Sequence, residues 1–417
     1  MKKVFVSSIL LIIVLVAFLF YNHKDERFLP LTYLKNPCEI IIYNKPDAKQ
    51  IYVTLEFKDA GVLNNPNDQH GISALISKLL FRKINKLTVA ETNEKLQYLG
   101  ITHLSVNGLS DDFIISFNVV EDLFQPAVEF LISGFGEKFS ENDLSYVKEF
   151  FPVQISPENS QPSEIMLDKL YQNLYPNHIY GKNETGSSES LAKITLKDID
   201  DFIKNNLTLD NLRVYYTGNY SIEKLRVLVD SISKFLPKKS NQNKVSDLKE
   251  ILVNCESERI PNSNIRDICG VVTGIRLDGL SKQEKAALYI VADTLFNGSN
   301  GEFLKTDIPM NYSYSINDRK LSTVLVLTTF VQKKDFDRYL KMQNDFLSNL
   351  DISQLNNLKL SKKDFIENQK IYSLHSMRNT LNLFDLPFKD CNNESYQKIL
   401  SKIQNQKMRN CVMIVSQ

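Results

Sequence analysis

The stretch QHGISALISKLLF at residues 69–81 decides how the rest of the chain is interpreted. Its apolar residues recur at i, i+3, i+4, i+7 and i+8, the spacing of one apolar face of an α-helix. These residues are Ile72, Leu75, Ile76, Leu79 and Leu80. An apolar strand at 51–57 and a polar loop at 64–69 come before it. The sequence therefore predicts a strand, a loop and then a helix that begins near His70-Gly71.

This helix resembles the motif helix of the pitrilysin/insulinase family of zinc peptidases, which includes the mitochondrial processing peptidase. Active members carry H-G-x-A-H-x-x-E-H-x-x-F, in which the inverted motif H-x-x-E-H holds the metal. The surrounding motif positions are kept as His70, Gly71 and Phe81. However, Ala74 and Lys78 occupy the positions of the two zinc histidines, and Ser77 occupies that of the general-base glutamate.

The three replacements remove the chemistry of the motif. A zinc ion needs three protein ligands with nitrogen, oxygen or sulfur donors at about 2.0–2.3 Å. Ala74 offers no lone pair, and the Lys78 ammonium is a cation that can only donate hydrogen bonds. Ser77 cannot act as a base near neutral pH. The sequence therefore predicts no metal ligand and no catalytic residue on this helix.

The family's third zinc ligand is a glutamate on a later helix, in the region that matches residues 139–155 here. Gln154 aligns with that glutamate, and Glu141 and Glu149 lie close to it in sequence. A single carboxylate does not make a zinc site. No cofactor is expected in this chain, and zinc is expected only in a partner subunit.

From Cys38 onwards the pattern is α+β. Strands at 38–44 and 51–57 are expected to pair around the turn Lys45-Pro46-Asp47. A helix at 88–99 opens with a capping box of Thr88 and Glu91. The remaining predicted elements of this half are a hairpin (101–106 and 113–119), helices (123–135, 143–151, 199–205 and 221–235) and a strand (211–218).

Residues 236–249, LPKKSNQNKVSDLK, are polar, basic and without apolar periodicity, which is typical of a linker. The half after it repeats the order of the half before it. Its predicted elements are strands at 268–277, 312–316, 322–330 and 408–415, and helices at 282–296, 336–350 and 364–383. The predicted domains are 1–26 (signal anchor or signal peptide), 27–236, 237–250 (linker) and 251–417. The resemblance implies two homologous domains, each with a mixed or antiparallel sheet and helices on one face.

Two further segments resemble the family. Residues 175–191 match its H-P-Y-G…G-t-e-e-s-i stretch through Pro176, Tyr180, Gly181 and Gly186, and His178 is expected to be a hydrogen-bonded surface residue. The family's second domain carries an Arg and a Tyr that contact the substrate backbone. In EFLKTDIPMNYSYSI, residues 302–316, an alignment on Tyr312 places Lys305 at the Arg position, and one on Tyr314 places Asp307 there. Lys305, Tyr312 and Tyr314 are thus candidate peptide contacts; equally, the two tyrosines can form one face of an ordinary strand.

The N-terminus carries a short basic region, Met1-Lys2-Lys3, and then 18 uncharged residues at 4–21. That length is close to the lower limit for a membrane-spanning helix, about 17–25 residues. No A-x-A-like cleavage site follows. An uncleaved signal anchor and a cleaved signal peptide both remain open, as does a buried core helix. The first two place the body outside the cytoplasm, anchored to an inner membrane or secreted to the periplasm.

The composition is that of a globular protein, with 43% hydrophobic and 24% charged residues and a net charge of +1. This balance gives no indication of nucleic-acid binding. The sequence contains no P-loop, no G-x-S-x-G and no G-x-G-x-x-G motif. Cys38, Cys255, Cys269, Cys391 and Cys411 have no metal-ligand spacing, and their odd number cannot pair fully within one chain.

Three functions are compatible with these observations. The first is a catalytically silent subunit that pairs with an active zinc peptidase of the family and encloses a peptide or unfolded polypeptide. The second is a stand-alone, membrane-anchored binding or scaffold protein with the same fold. The third is a zinc metallopeptidase with a rearranged site.

Overall fold

The protein is represented by a computed structural model. It describes residues 31–35, 37–65, 69–154, 161–239, 252–262, 267–297, 301–355 and 386–416. The predicted N-terminal segment at 4–21, most of the linker and the predicted helix at 364–383 lie outside these residues. Within the described ranges, no helix is both long enough and apolar enough to cross a bilayer.

The first half is built on a six-stranded mixed sheet. Its strands are β1 (Leu31–Leu34), β2 (Glu39–Asn44), β3 (Gln50–Phe57), β4 (Ile101–Gly108), β5 (Phe113–Val120) and β6 (Leu212–Gly218). They lie in the order β1-β2-β6-β3-β5-β4. The β2–β6 pair is parallel and the other neighbours are antiparallel.

The expected pairing of β2 with β3 is wrong. Both strands exist, and the turn between them lies where the sequence places it, but β6 is inserted between them. Ile40 lies opposite Val214 of β6, and Leu55 of β3 lies opposite the same residue from the other side. A strand that arrives more than 150 residues later is invisible to a local pattern, because two nearby apolar strands look alike whether or not they pair.

Eight helices of the described residues belong to the first half in sequence. They are α1 (Ile72–Leu79), α2 (Val89–Tyr98), α3 (Phe124–Ser133), α4 (Glu141–Gln154), α5 (Pro162–Leu174), α6 (Ser188–Lys193), α7 (Leu196–Asn206) and α8 (Ile222–Phe235). The predicted apolar face of α1 is buried, and Thr88 and Glu91 form the predicted capping box of α2. The core lies between the helices and one face of the sheet. Val53 and Leu55 of β3 point into this core, whereas Thr54, on the other face of the strand, is only partly buried.

The second half repeats this arrangement. Its strands are β7 (Glu258–Asn262), β8 (Ile268–Asp278), β9 (Met310–Asp318), β10 (Ser322–Gln332) and β11 (Arg409–Ser416), and its described helices are α9 (Lys282–Phe296), α10 (Phe336–Ser348) and α11 (Asn393–Gln404). The strand order β7-β11-β8-β10-β9 is that of β2-β6-β3-β5-β4, and β7–β11 is again the parallel pair. The predicted α+β fold of two similar halves is confirmed.

Helix α5 was not predicted, although it opens with a proline at its first turn and a capping box of Gln161 and Glu164. Its apolar residues pack on the second sheet, on the face away from the other helices of that half. A Cβ on Gly270 or Gly274 of β8 would lie 2.7–2.8 Å from the side chains of Met166 and Leu170. The two glycines therefore let α5 approach the sheet closely, and this packing joins the two halves.

Candidate functional site

The start of α1, where the family places its metal motif, is fixed by two glycines. Gly71 has a φ of +96°, in the left-handed region, and a Cβ on it would lie 2.6 Å from the Gly186 Cα. Gly186 has a φ of +87°, and a Cβ there would lie 2.8 Å from the His70 carbonyl oxygen. The two family-like segments at 69–81 and 175–191 thus meet through their backbones.

The three residues that replace the zinc motif have structural environments of their own. Ala74 is buried, and the Ser77 hydroxyl donates a hydrogen bond of 2.6 Å to the Ala74 carbonyl oxygen. Lys78 is exposed to solvent on α1. The side chains of this trio do not make up a donor set for zinc, which needs three nitrogen, oxygen or sulfur ligands.

The candidate third ligand is on α4, which packs beside α1. Glu141 and Glu149 are exposed there, and the side chain of Gln154 lies outside the described part of the chain. Across the described ranges, no three His, Cys, Asp or Glu side chains are close enough to hold a metal ion together.

His70, which keeps the family identity, lies half-buried beside this site. Its Nδ1 is buried and has no hydrogen-bond partner among the described residues. Burial lowers the pKa of the imidazole, and the nearby Lys182 cation lowers it further. The ring is therefore neutral under physiological conditions.

His178 is hydrogen-bonded as predicted, but the expectation that it lies on the surface is wrong. It is 4% exposed, and its Nδ1 accepts a hydrogen bond of 3.1 Å from the Tyr180 backbone N–H. The rings of Tyr175 and Tyr180 pack against it. The Arg276 and Arg319 cations of the second half also act on its imidazole, and no local pattern around a lone loop histidine indicates that they lie near it.

The turn between β9 and β10 joins the two halves through Arg319, which is 9% exposed. Its Nη1 donates a hydrogen bond of 3.1 Å to the Tyr180 carbonyl oxygen, and its Nη2 lies 3.3 Å from Glu184 Oε1. The guanidinium carbon lies 4.3 Å from the centre of the Tyr171 ring. We call this group (Tyr171, Tyr180, Glu184 and Arg319) the hairpin junction.

A second set of contacts supports the hairpin junction. The Lys320 backbone N–H donates to Asp111 Oδ2 at 2.7 Å, and the Lys320 Nζ lies 2.5 Å from Asp59 Oδ1. The Tyr180 hydroxyl also donates to Asp111. Burial raises the pKa of the Asp111 carboxyl, although these hydrogen bonds oppose that shift. The turn of the second sheet is thereby held by charged groups of the first half.

The three candidate peptide contacts do not form one open site. Lys305 is exposed and pairs with Glu302 at 2.6 Å. Tyr312 and Tyr314 are partly buried on the face of β9 that packs against the second core, and the Tyr314 hydroxyl donates to Asp293 at 3.2 Å. This placement favours the interpretation as one face of an ordinary strand. Their contact with a peptide stays a prediction.

The opposite face of β9 borders a cleft that sequence reasoning missed. A cleft of about 1050 Å³ lies between the open face of β9 and helix α5. Its lining residues include Asp111, Asp168, Tyr171, Glu184, Ser313 and Ser315. The alternation of Tyr and Ser in NYSYS indicates that one face of β9 is polar. It does not indicate which part of the chain lies opposite that face.

None of the five cysteines forms a disulfide in the structure. Cys38, Cys269 and Cys391 are buried, whereas Cys255 is exposed. Burial raises the pKa of the Cys38 thiol to about 12, which keeps it protonated and unreactive.

Comparisons with known proteins agree with this geometry. Residues 193–351 match the family model described as the peptidase M16 inactive domain. An uncharacterised zinc protease of Rickettsia felis is 21% identical over 202 residues, covering 46% of this chain and 46% of that protein. The β subunit of the mitochondrial-processing peptidase of Neurospora crassa is 21% identical over 217 residues, covering 49% of this chain and 43% of that protein.

Solved structures extend the likeness to nearly the whole chain. The M16 inactive domain from Pseudomonas fluorescens superposes with a TM-score of 0.76 at 14% identity, covering 93% of this chain and 100% of that one. A chain of Complex III2 from Candida albicans superposes with a TM-score of 0.64 at 16% identity, covering 93% and 95%. These likenesses establish the fold.

The protein thus has the fold of the M16 peptidases. The predicted relationship to the pitrilysin/insulinase (M16) peptidases is confirmed, and the chain is an M16 peptidase homologue that lacks the zinc motif on α1. It aligns with about half the length of the curated relatives it matches.

The buried His178 predicts acid sensitivity. Burial, and then the Arg276 and Arg319 cations, lower the pKa of its imidazole to about 4 from an ordinary value near 6.5. Because the unfolded chain takes up the proton first, the stabilisation is complete above about pH 6.5 and is lost as pH falls towards about 4. We expect about 3 kcal/mol of the acid-induced loss in unfolding free energy to come from this group.

The measurement is urea unfolding at pH 7 and pH 4.5, followed by circular dichroism. His178→Gln, whose amide oxygen can still accept from Tyr180, should lose less stability between the two pH values than the unmodified protein. His103→Gln, at an exposed imidazole on β4, is the matched control and should behave like the unmodified protein. Equal pH dependence in all three proteins would contradict the assignment.

Proposed function

We propose that this protein is the non-catalytic subunit of a two-chain peptidase. It pairs with an M16 subunit that carries an intact H-x-x-E-H, and the two chains enclose a peptide or unfolded polypeptide. The observation that carries the proposal is the contrast on α1: Gly71 and Gly186, two positions that match the family's motifs, meet at the start of the helix, while the zinc-binding side chains are absent from it. Zinc is expected only in the partner.

The comparisons support this proposal through what the similar proteins are called. One relative is the β subunit of a processing peptidase, and the matching family model describes an inactive domain. A silent subunit still needs the architecture of an active one, because it must form half of an enclosure. This requirement explains why a chain with no metal ligands on α1 keeps the glycines that position that helix.

We place the body of the protein outside the cytoplasm, in the periplasm or anchored to the inner membrane. The basis is the uncharged segment at 4–21, which follows two lysines. The test is a fusion of residues 1–35 to alkaline phosphatase, which is active only after export. An inactive fusion would place the body on the cytoplasmic side.

A second candidate is a stand-alone binding or scaffold protein with the same fold. The similarity to a chain of Complex III2, whose name mentions no peptidase, favours it. Affinity purification of the tagged full chain from its own cells separates the two candidates. Recovery of a stoichiometric subunit that carries H-x-x-E-H supports the first, and recovery of the chain alone supports the second.

Activity measurements complete the test. We expect the pure chain to cleave no quenched fluorescent peptide, and its mixture with the partner to be more active than the partner alone. A zinc peptidase with a rearranged site is the third alternative, and stoichiometric zinc with cleavage by the pure chain would establish it. The variants Ala74→His and Lys78→His, alone and combined, are gain-of-site controls for the metal analysis.

A further inference from the structure

A pocket of about 310 Å³ lies at one end of the first sheet, where the turn between β2 and β3 meets the end of β6. Its lining residues include Lys45, Lys49, Gln50, Tyr52 and Gly218. The volume is at the lower end of the range for small-molecule sites, roughly 300–1000 Å³. The pocket therefore has room for a small polar group.

The turn that borders the pocket is fixed by backbone hydrogen bonds. The Lys45 N–H donates a hydrogen bond of 2.9 Å to the Gly218 carbonyl oxygen, and the Ala48 N–H donates one of 3.0 Å to the Lys45 carbonyl oxygen. Pro46 follows Lys45, and its fixed φ favours a turn at this position. Lys45 and Lys49 are therefore held at the two ends of one tight turn, both beside the pocket.

The charge of the lining favours an anionic occupant. Among the described residues that line the pocket, Lys45 and Lys49 are the charged ones, and no carboxylate accompanies them. Asp47 of the same turn is exposed and does not line the pocket. Glu121 interacts with the Lys49 cation, but it forms its ion pair with Lys224, at 2.6 Å. The two lysines thus leave a positive charge in the pocket that no lining group neutralises.

The Lys45 ammonium is partly withdrawn from water. Its Nζ lies 5.2 Å from the centre of the Tyr43 ring, and burial lowers the pKa of the amine. Gln50 adds a neutral donor: its Oε1 accepts a hydrogen bond of 3.1 Å from the Tyr52 hydroxyl, and its Nε2 has no partner within the described ranges. Two ammonium groups and an amide N–H can donate to the oxygens of a phosphate group, to which lysine binds as a point charge.

The chain enters the first sheet at the end that carries this pocket. Leu31, the first residue of β1, lies opposite Tyr43 of β2, and Tyr43 lies opposite Thr217 of β6, which lines the pocket. Two strand spacings, about 10 Å, therefore separate Leu31 from the pocket. Residues 22–30 connect Leu31 to the uncharged segment at 4–21, and nine residues span at most about 30 Å. A membrane at that segment would keep this end of the sheet close to its surface.

We propose that this pocket binds the phosphate group of an anionic phospholipid and so holds the end of the first sheet against the membrane. The inference rests on the proposed location of the protein, since it needs the uncharged segment to lie in a bilayer. It assigns a second membrane contact to the body of the chain, through Lys45 and Lys49.

The test is isothermal titration calorimetry of the full chain in a nonionic detergent with dihexanoylphosphatidylglycerol, a soluble phospholipid with a net negative charge. We expect it to bind about tenfold more tightly than dihexanoylphosphatidylcholine, whose own ammonium group would be repelled by the two lysines. The double variant Lys45→Gln, Lys49→Gln should weaken binding of the phosphatidylglycerol about thirtyfold. The double variant Lys333→Gln, Lys334→Gln, at two exposed lysines of the second half, is the matched control and should not change it.

Inorganic phosphate is the third probe, because a soluble phosphate would offer the pocket the same group. It should bind more weakly than the phosphatidylglycerol, since the micelle around the N-terminal segment concentrates a lipid beside the pocket but not a phosphate ion. Tighter binding of inorganic phosphate would overturn the assignment to a lipid. Equal affinity for the two lipids, no saturable binding, or an equal loss in both double variants would overturn the inference as well. If the alkaline phosphatase fusion is active in that case, the inference fails while the proposed location stands.

Discussion

Replacing Gly71 with alanine is expected to lower the free energy of unfolding by about 3 kcal/mol. A left-handed backbone costs a non-glycine residue about 1–2 kcal/mol, and forcing extra atoms into a packed contact costs about 1–3 kcal/mol. Both terms apply at Gly71, since its φ is +96° and an added Cβ would meet the Gly186 Cα and the Thr185 carbonyl oxygen. Neither neighbour can rotate away, because both are backbone atoms.

Gly279 provides a matched control for this substitution. It also has a positive φ, +62°, but a Cβ there would have no atom within 4 Å. Gly279→Ala should therefore show the backbone term alone, about 1 kcal/mol. The measurement is urea unfolding followed by circular dichroism. The free energy of the first unfolding transition is compared between the variants. If the two alanine variants lose the same stability, the close contact between residues 70–71 and 185–186 does not constrain the fold.

Replacing Arg319 with methionine is expected to cost about 3 kcal/mol and to loosen the contact between the two halves. The methionine removes the hydrogen bond to the Tyr180 carbonyl oxygen, the ion pair with Glu184 and the stacking on Tyr171. Breaking a buried charge pair by removing one partner is among the most destabilising changes, at about 3–5 kcal/mol. The partial exposure of Glu184 places the expected loss at the lower end of that range.

Hydrogen exchange locates the effect of this substitution. Amides of α5 and of the β9–β10 hairpin should exchange faster in Arg319→Met, whereas those of α2 should be unchanged. Arg319→Lys should recover only part of the stability, because lysine keeps the charge but not the planar set of donors. Arg338→Met, at an exposed ion pair with Asp307, is the control and should leave the transition unchanged. A uniform increase in exchange across the chain would argue against a local role for the hairpin junction.

Local patterns predicted most elements because their causes are local. The capping box at Thr88 and Glu91 marks the start of α2 through two side chains three residues apart, and the structure contains both hydrogen bonds. The apolar face of α1 follows from the helical repeat alone. The same reasoning holds for α9. The helix follows the N-cap Ser281 and ends at Phe296, as predicted for residues 282–296.

Elements with weaker patterns were missed. Strand β1 has four residues and β7 has five, too short for an alternation to stand out from a loop. Helix α5 was also missed, and its partner surface, the second sheet, is about one hundred residues away in sequence. Its apolar positions Met166, Leu170 and Leu174 do not indicate where the helix packs.

By itself, the sequence determined the class of fold and the loss of the zinc motif, because each depends on which atoms a residue carries at a fixed helical or strand spacing. The Ala74 side chain has no donor atom, and the Lys78 ammonium has no lone pair to offer a metal. The tertiary structure alone decided that β6 separates β2 from β3, that His178 is buried and that Arg319 ties the halves together. It also decided that Ser313 and Asp168 share a cleft. These outcomes depend on contacts between distant segments, whose free energy is set by packing and charge in three dimensions and leaves no periodic trace in the chain.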